Sequence, residues 1–164
     1  MKKSRGTPVR PSTLVMPCSQ NSRHLKPGGY IEHVEIDYEP RCDDGSLPTD
    51  PLCTWYEYLK AATKRMHRPI EYNPYTGTIL KTAGFVDIKE HKVIKLPMNS
   101  WPTEDEKERE IGRWNVLGLV DSIEAWSLKP LIEVNGWDEK TVKSMVEDVR
   151  KAVKSRKVRA YNLL

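Results

Sequence analysis

Nine of the 164 residues are glycine, and nowhere do they form a GxGxG-type run. Such a run lets backbone approach a nucleotide closely, so no segment here is built to cradle one by that device. Cysteine is scarce: Cys18, Cys42 and Cys53 are an odd set with no CxxC or HxxxH pattern beside them. That spacing excludes a disulfide framework and makes a zinc site unexpected. Reduced thiols in a cytoplasmic or nuclear protein are the expectation. No apolar run approaches transmembrane length, so no membrane association is expected. The basic start lacks the apolar stretch of a secretory signal.

What is present is globular and rather polar, with 38% hydrophobic and 30% charged residues, which suits a single domain. Five Trp and seven Tyr help a modest core, because each aromatic buries a large area. The net charge of +4 is mild, but it is unevenly placed. Residues 1–31 carry Lys2, Lys3, Arg5, Arg10, Arg23 and Lys26 and no acid, and a second basic stretch runs from Lys140 to Arg159. Both read as a solvated tail and a solvated helix face. Phosphate contacts from Lys140, Lys143, Arg150, Lys151, Lys154, Arg156, Lys157 and Arg159 are the competing reading. Aromatics are not interleaved among them, so nucleic acid is not the expected partner.

Residues 1–21, with Pro8, Pro11, Pro17 and Gly6, show no period and are expected to be a disordered basic leader. A tight turn at Leu25-Lys26-Pro27-Gly28-Gly29 leads into a strand over 30–38, bounded by Pro40. An acidic loop, Cys42 to Asp50, precedes a helix begun by Asp50-Pro51, with Leu52, Trp55, Tyr56, Leu59, Thr63 and Met66 as its stripe. Asn73-Pro74 starts a short helix that Gly84 stops, and a strand is expected over 85–96. Thr103-Glu104-Asp105-Glu106 matches a capping box. The long helix after it should kink or end at Pro130, and Gly136 closes that segment. Asp138 caps the last helix, whose stripe is Val142, Met145, Val146, Val149 and Val153. A final strand begins at Val158. Strands mixed with helices in this order predict an α/β fold, a sheet layered with helices.

Several motifs occur in a fixed order. They are His24-Leu25-Lys26-Pro27-Gly28-Gly29-Tyr30-Ile31-Glu32, Asp43-Asp44-Gly45-Ser46, Trp101-Pro102 and Glu110-Ile111-Gly112-Arg113-Trp114-Asn115. Then come Glu124-Ala125-Trp126-Ser127, Gly136-Trp137, Val149-Arg150-Lys151 and Ala160-Tyr161. Together they resemble the C-terminal half of the LaeA-like, class I S-adenosylmethionine-dependent methyltransferases of filamentous fungi, from about residue 22 to 164. Residues 1–21 do not share the resemblance.

The resemblance implies a Rossmann-like, seven-stranded sheet with helices on both faces, whose cofactor S-adenosylmethionine sits at the carboxyl ends of the first strands. It implies that residues 22–164 are the last strands of that sheet with their covering helices, the seventh cut short at Leu164. The glycine-rich loop after the family's first strand, and the acidic residue ending its second, have no counterpart in these 164 residues. No cofactor-binding, catalytic or metal-binding residue is therefore carried over, and cofactor binding by this chain alone is not expected. The parent activity implied is methyl transfer to an unidentified acceptor, with a role in fungal secondary metabolism. A truncated member, inactive alone, is the first expectation. The alternative is a non-catalytic module that pairs with a protein partner or a full-length relative.

Four residues are candidates for a substrate pocket. Glu35 and Asp37 lie near the end of the first expected strand, where central strands are usually apolar. Either carboxylate faces a pocket as a base or orienting group, or both are exposed or paired with nearby cations. Trp114 and Asn115 lie on the long helix that the family places over its pocket. A Trp on a helical stripe serves a core equally well. Asn115 needs a hydrogen-bond partner if buried. Without a fourth strand beside it, the strand 30–38 should expose an edge that invites self-association or a protein partner.

Overall fold

A computed structural model describes residues 25–26, 28–45, 47, 51–89, 93–101 and 103–164. The leader 1–21, Cys18, His24, Pro27, the cap Asp50 and Pro102 lie outside the described residues. The chain forms two compact units, one from segments 1–32 and 73–91, the other from 33–72 and 92–164.

In the smaller unit the expected turn is present. Gly28 takes φ +79°, and the Gly29 amide donates to the Lys26 carbonyl at 2.9 Å. Helix α2, Thr76–Thr82, starts two residues later than its Asn73-Pro74 signal. The Asn73 side chain accepts from the Tyr75 amide at 2.9 Å and so shapes a turn before the helix. Gly84, at φ +93°, ends it as expected: the Gly84 and Phe85 amides return to the Lys81 and Leu80 carbonyls.

The larger unit contains β1 (Asp37–Arg41), α1 (Pro51–Arg65), β2 (Lys95–Pro97), α3 (Glu106–Glu133), α4 (Glu139–Lys154) and β3 (Tyr161–Leu163). Its sheet has the order β1-β3-β2, with β3 in the middle and antiparallel to both neighbours. The described fold is thus mixed α/β, four helices with a small three-stranded antiparallel sheet.

Both long strand expectations shrink. Instead of 30–38, pairing occupies 37–41, because Tyr30 and Val34 are 93% and 64% exposed and meet no core. Pro40 lies inside β1 rather than beyond it, tolerated where the register with β3 is irregular. Instead of 85–96, β2 covers three residues, since Val86 and Val93 are exposed. Reciprocal hydrogen bonds between Ile94 and Leu164 extend the ladder by one pair.

The core lies where α1, α3 and α4 meet. Leu52, Trp55, Tyr56, Leu59 and Ala62 supply the α1 face, Leu119, Ile123 and Leu131 that of α3, and Val142, Val146, Val149 and Val153 that of α4. Spacings built from helical turns, with buried Ser127 between Ile123 and Leu131, place each set on one side of its helix. Burying each valine is worth about 1.5–3 kcal/mol. One polar link crosses the core: the Trp55 indole donates to Ser127 Oγ at 2.8 Å, and Ser127 donates to the Ile123 carbonyl.

Helix ends follow capping chemistry. Asp138 caps α4, accepting from the Thr141 amide at 2.9 Å. The cap of α3 is Asp105 rather than Thr103, accepting from the Lys107 and Glu108 amides. Thr103 instead donates to the Glu108 carboxylate at 2.8 Å. Pro130 does not end α3, which continues to Glu133. Pro130 and Leu131 are buried, and that packing offsets the missing amide and ring clash, about 3 kcal/mol in an open helix.

Candidate functional site

Between α3 and the sheet lies a hollow of about 190 Å³, lined chiefly by Ile36, Tyr38, Leu96, Asn115, Trp126 and Asn162. The sheet supplies one wall through Tyr38, Leu96 and Asn162, and α3 supplies the other. Tyr38 and Trp126 meet edge to face, centroids 4.9 Å apart at 67°, which fixes the apolar corner. Asn162 is buried in the central strand and donates to the Glu39 carbonyl at 3.3 Å.

The four sequence candidates are distributed unevenly around this hollow. Asn115 lines it, and its Nδ2 donates to the Pro97 carbonyl at 2.7 Å, which meets the requirement for a partner and ties α3 to the end of β2. Trp114 is 69% exposed and is not among the lining residues. Neither are Glu35 and Asp37, whereas their neighbours Ile36 and Tyr38 are. Alternation along extended backbone accounts for that division. Glu35 lies 3.4 Å from the His33 ring. Asp37 and Glu39 both accept from Arg41, at 2.7 and 2.6 Å.

Electrostatics separate the two sides of β1. Burial opposes the charge on Arg41, but the hydrogen bond to Asp37 and the fields of Asp37 and Glu39 outweigh it, holding the guanidinium above its ordinary value. On α1, burial first, then Asp37 and Glu39, push the Tyr56 hydroxyl well above the ordinary phenol range. At the far end of the sheet, Asp43 accepts from Lys95 and from the Tyr161 hydroxyl, which lowers its carboxyl below the usual range.

Among the described residues the positive-φ glycines do not gather into a cradle of the glycine-loop kind. Gly28, Gly45, Gly84 and Gly136 hold positive φ at separate turns with nothing within 4 Å of an added Cβ. Among the described residues no group of three or more His, Cys, Asp and Glu is placed to hold a metal, and no helix is long and apolar enough to cross a membrane. Several cations of the second basic stretch are engaged: Lys143 with Glu139, Arg150 with Glu124 and Glu147, Lys151 with Asp148, and Arg159 with Asp44.

What sequence reasoning missed was the inward row of the hollow. Trp126 and Asn162 sit in or beside motifs already visible, but the sequence alone does not say which face of α3 meets the sheet. A buried amide in the short strand Tyr161-Asn162-Leu163 is the one signal that could have found it, since an Asn there needs acceptors.

Comparison with known proteins gives one consistent answer. Over 142 residues, 85% of this chain, it is 49% identical to the secondary metabolism regulator LAE1 of Cochliobolus heterostrophus, covering 46% of that protein. It is 42% identical over 142 residues to the secondary metabolism regulator laeA of Aspergillus fumigatus, covering 86% of this chain and 38% of the relative. The same identity and length hold for the protein-methionine methyltransferase laeA of Emericella nidulans, with 37% of it covered. The chain thus spans less than half the length of these curated relatives. No family model matches, and no solved structure matches.

Proposed function

From the premise that this chain is a partial LaeA-like protein, we propose that its 164 residues are the acceptor-side portion of a methyltransferase-type fold. In this reading β1, β3 and β2 are the last strands of a Rossmann-like sheet, and α3 roofs the space beside them. The methyl donor is S-adenosylmethionine, gripped by a glycine-rich loop that is not among these residues. The chain's own contribution is a dry, shaped wall: Tyr38, Leu96 and Trp126 exclude water, while the Asn115 and Asn162 amides orient a polar acceptor. Methyl transfer chiefly requires donor and acceptor to be aligned, so a wall without strong acids or bases suits it. A protein methionine is the acceptor class we favour, because one relative is named a protein-methionine methyltransferase. By the same relatives, the process served is regulation of fungal secondary metabolism.

The observation that carries this reading is the 49% identity over 142 residues. Isothermal titration of S-adenosylmethionine into the folded 164-residue chain tests it. No binding by the chain is expected. Saturable binding would overturn the division of labour, because the cofactor would then be held by residues present here.

A second reading has its own support. Trp114 and Leu117, three residues apart on α3, are 69% and 59% exposed, and among the described residues β1 pairs on one side only. An apolar helix face and a free strand edge fit a non-catalytic module that docks on a protein partner or a full-length relative. A chain that remains monomeric at high concentration and melts cooperatively would count against it.

A further inference from the structure

A second recess, of about 440 Å³, opens where the segment after β2 meets the start of α3 and the loop after α4. It is lined by Ser100, Trp101, Thr103, Glu104, Arg109 and Arg156. Two guanidinium groups therefore share one cavity with a single carboxylate, and among the described residues no ion pair joins Glu104 to either arginine. Arg109 Nε is buried and has no hydrogen-bond partner among the described residues. Buried donors in folded proteins nearly always find an acceptor, and a partly buried charge without one is costly. Among the described residues Arg156 reaches only Ser100 Oγ, at a long 3.4 Å.

The neighbouring acids do not fill this gap. Glu108 accepts from the Thr103 hydroxyl, and Asp105 from the first amides of α3. The recess is also held in shape. Gly112 lets the α3 backbone lie directly against Asn99 and Ser100, and Asn99 Nδ2 donates to the carbonyls of Val153, Ser155 and Val158. Trp101 and Arg156 are thereby carried on two segments tied to one another.

We propose that this recess binds a small organic oxyanion, a carboxylate or phosphate ester on a flat body. Arg109 and Arg156 form the cationic clamp, Ser100 adds a hydroxyl, and Trp101 is the flat wall. Guanidinium groups match the planar, two-oxygen edge of such anions, and the volume is of small-molecule scale. Glu104 at the same cavity repels a second negative charge, so the monoanionic carboxylate is expected to bind ahead of the phosphate ester. The site does not rest on the methyl-transfer reading.

The test is calorimetric titration of phenyl phosphate, and separately of benzoate, into the full chain, with benzyl alcohol as the neutral control. Saturable binding of at least one anion and none of the alcohol is expected, and the two arms identify which oxyanion is preferred. Arg109→Gln and Arg156→Gln should each weaken it by about tenfold or more, in line with loss of a charge-assisted contact. Arg113→Gln, on an exposed part of α3 outside the recess, should leave it unchanged. Absence of saturable binding by folded protein, or equal weakening by Arg113→Gln, overturns the proposal. Should Arg109→Gln fail to fold, the Arg156 variant, whose side chain is exposed, decides alone.

Discussion

Helices α3 and α4 pack against each other along the core but distribute their apolar residues on different plans. In α4 the valines 142, 146, 149 and 153 are buried and the remaining surface is polar, laced by the Lys143–Glu139 and Lys151–Asp148 pairs. In α3 Leu119, Ile123 and Leu131 are buried, yet Trp114 and Leu117 stand exposed on other sides. A single stripe names a helix's neighbours completely, because every apolar residue is accounted for by one contact face. A helix apolar on several sides carries surface that the described residues do not cover. That surplus is what favours a docking role for α3, and α4 shows none.

The sharpest way to probe this contrast lies within α3 itself. A Cβ at Gly112 would overlap the Asn99 carbonyl oxygen and lie 2.6 Å from its carbon, both backbone atoms that cannot swing away. Gly112→Ala should cost about 3 kcal/mol, at the upper end of overpacking penalties, read as a fall in the urea midpoint. Gly118→Ala meets nothing within 4 Å. It should instead stabilise, by up to about 1 kcal/mol from helix propensity. Equal effects would mean that the close approach of α3 to Asn99 is not real.

Next in size is the comparison between the two helices. Val149 is fully buried, so Val149→Ala should cost about 2.5 kcal/mol. Leu117→Ala removes more atoms but from an exposed position, and should stay within about 0.5 kcal/mol. If Leu117→Ala also lowers a measured self-association constant, α3's uncovered side is an interface. If it lowers monomer stability by as much as Val149→Ala, that side is core.

The same contrast explains what was legible in the sequence. The α4 stripe, its Asp138 cap and the Gly84 stop could be read directly, because each depends on residues close in the chain. The strands could not be delimited. Tyr30 to Ile36 has strand-forming residues, but pairing is decided by β3, more than a hundred residues later, which meets Asp37 and Arg41. The shift of the α3 cap from Thr103 to Asp105 is by contrast local: the Thr103 hydroxyl has two competing uses, and donating to Glu108, five residues on, leaves the cap to Asp105. At the hollow, the need of Asn115 for a partner was visible, but the identity of that partner, the Pro97 carbonyl, required the fold. Trp126 was hidden because a helix apolar on several sides does not say which side meets the sheet, and Asn162 because its neighbours on the sheet are set by strands distant in the chain.

A middle-sized effect concerns the joint between the two helices. The two Nδ2 hydrogens of Asn99 are shared among three carbonyls at and beyond the end of α4, at 3.0, 3.1 and 3.1 Å, while the Asn99 backbone lies against Gly112 of α3. Asn99→Ala should cost about 2 kcal/mol, because buried acceptors lose their donor. Asn99→Asp should be worse, since an ionised carboxylate is an acceptor only and would face three carbonyl oxygens. Thermal melts of both variants settle the order, and an Asp variant as stable as the Ala one would show that these carbonyls are not held by Asn99.

The smallest effect tests whether α4 is as self-contained as its stripe suggests. Hydrogen bonds from the Thr141 side chain and then its backbone hold the Asp138 carboxyl below its ordinary value. A carboxyl lowered in the folded state contributes stability above its unfolded value and loses it as pH falls through the lowered folded value. Asp138→Ala should therefore melt slightly below the unaltered protein at neutral pH, and the gap should narrow on acidification as the charge-dependent part is lost. Asp138→Asn keeps a side-chain oxygen able to cap but does not titrate. It should hold the cap at both ends of the range, so that its melting temperature exceeds that of Asp138→Ala even in acid. A gap as wide in acid as at neutral pH would show that the Asp138 side chain caps as a neutral hydrogen-bond acceptor rather than by its charge.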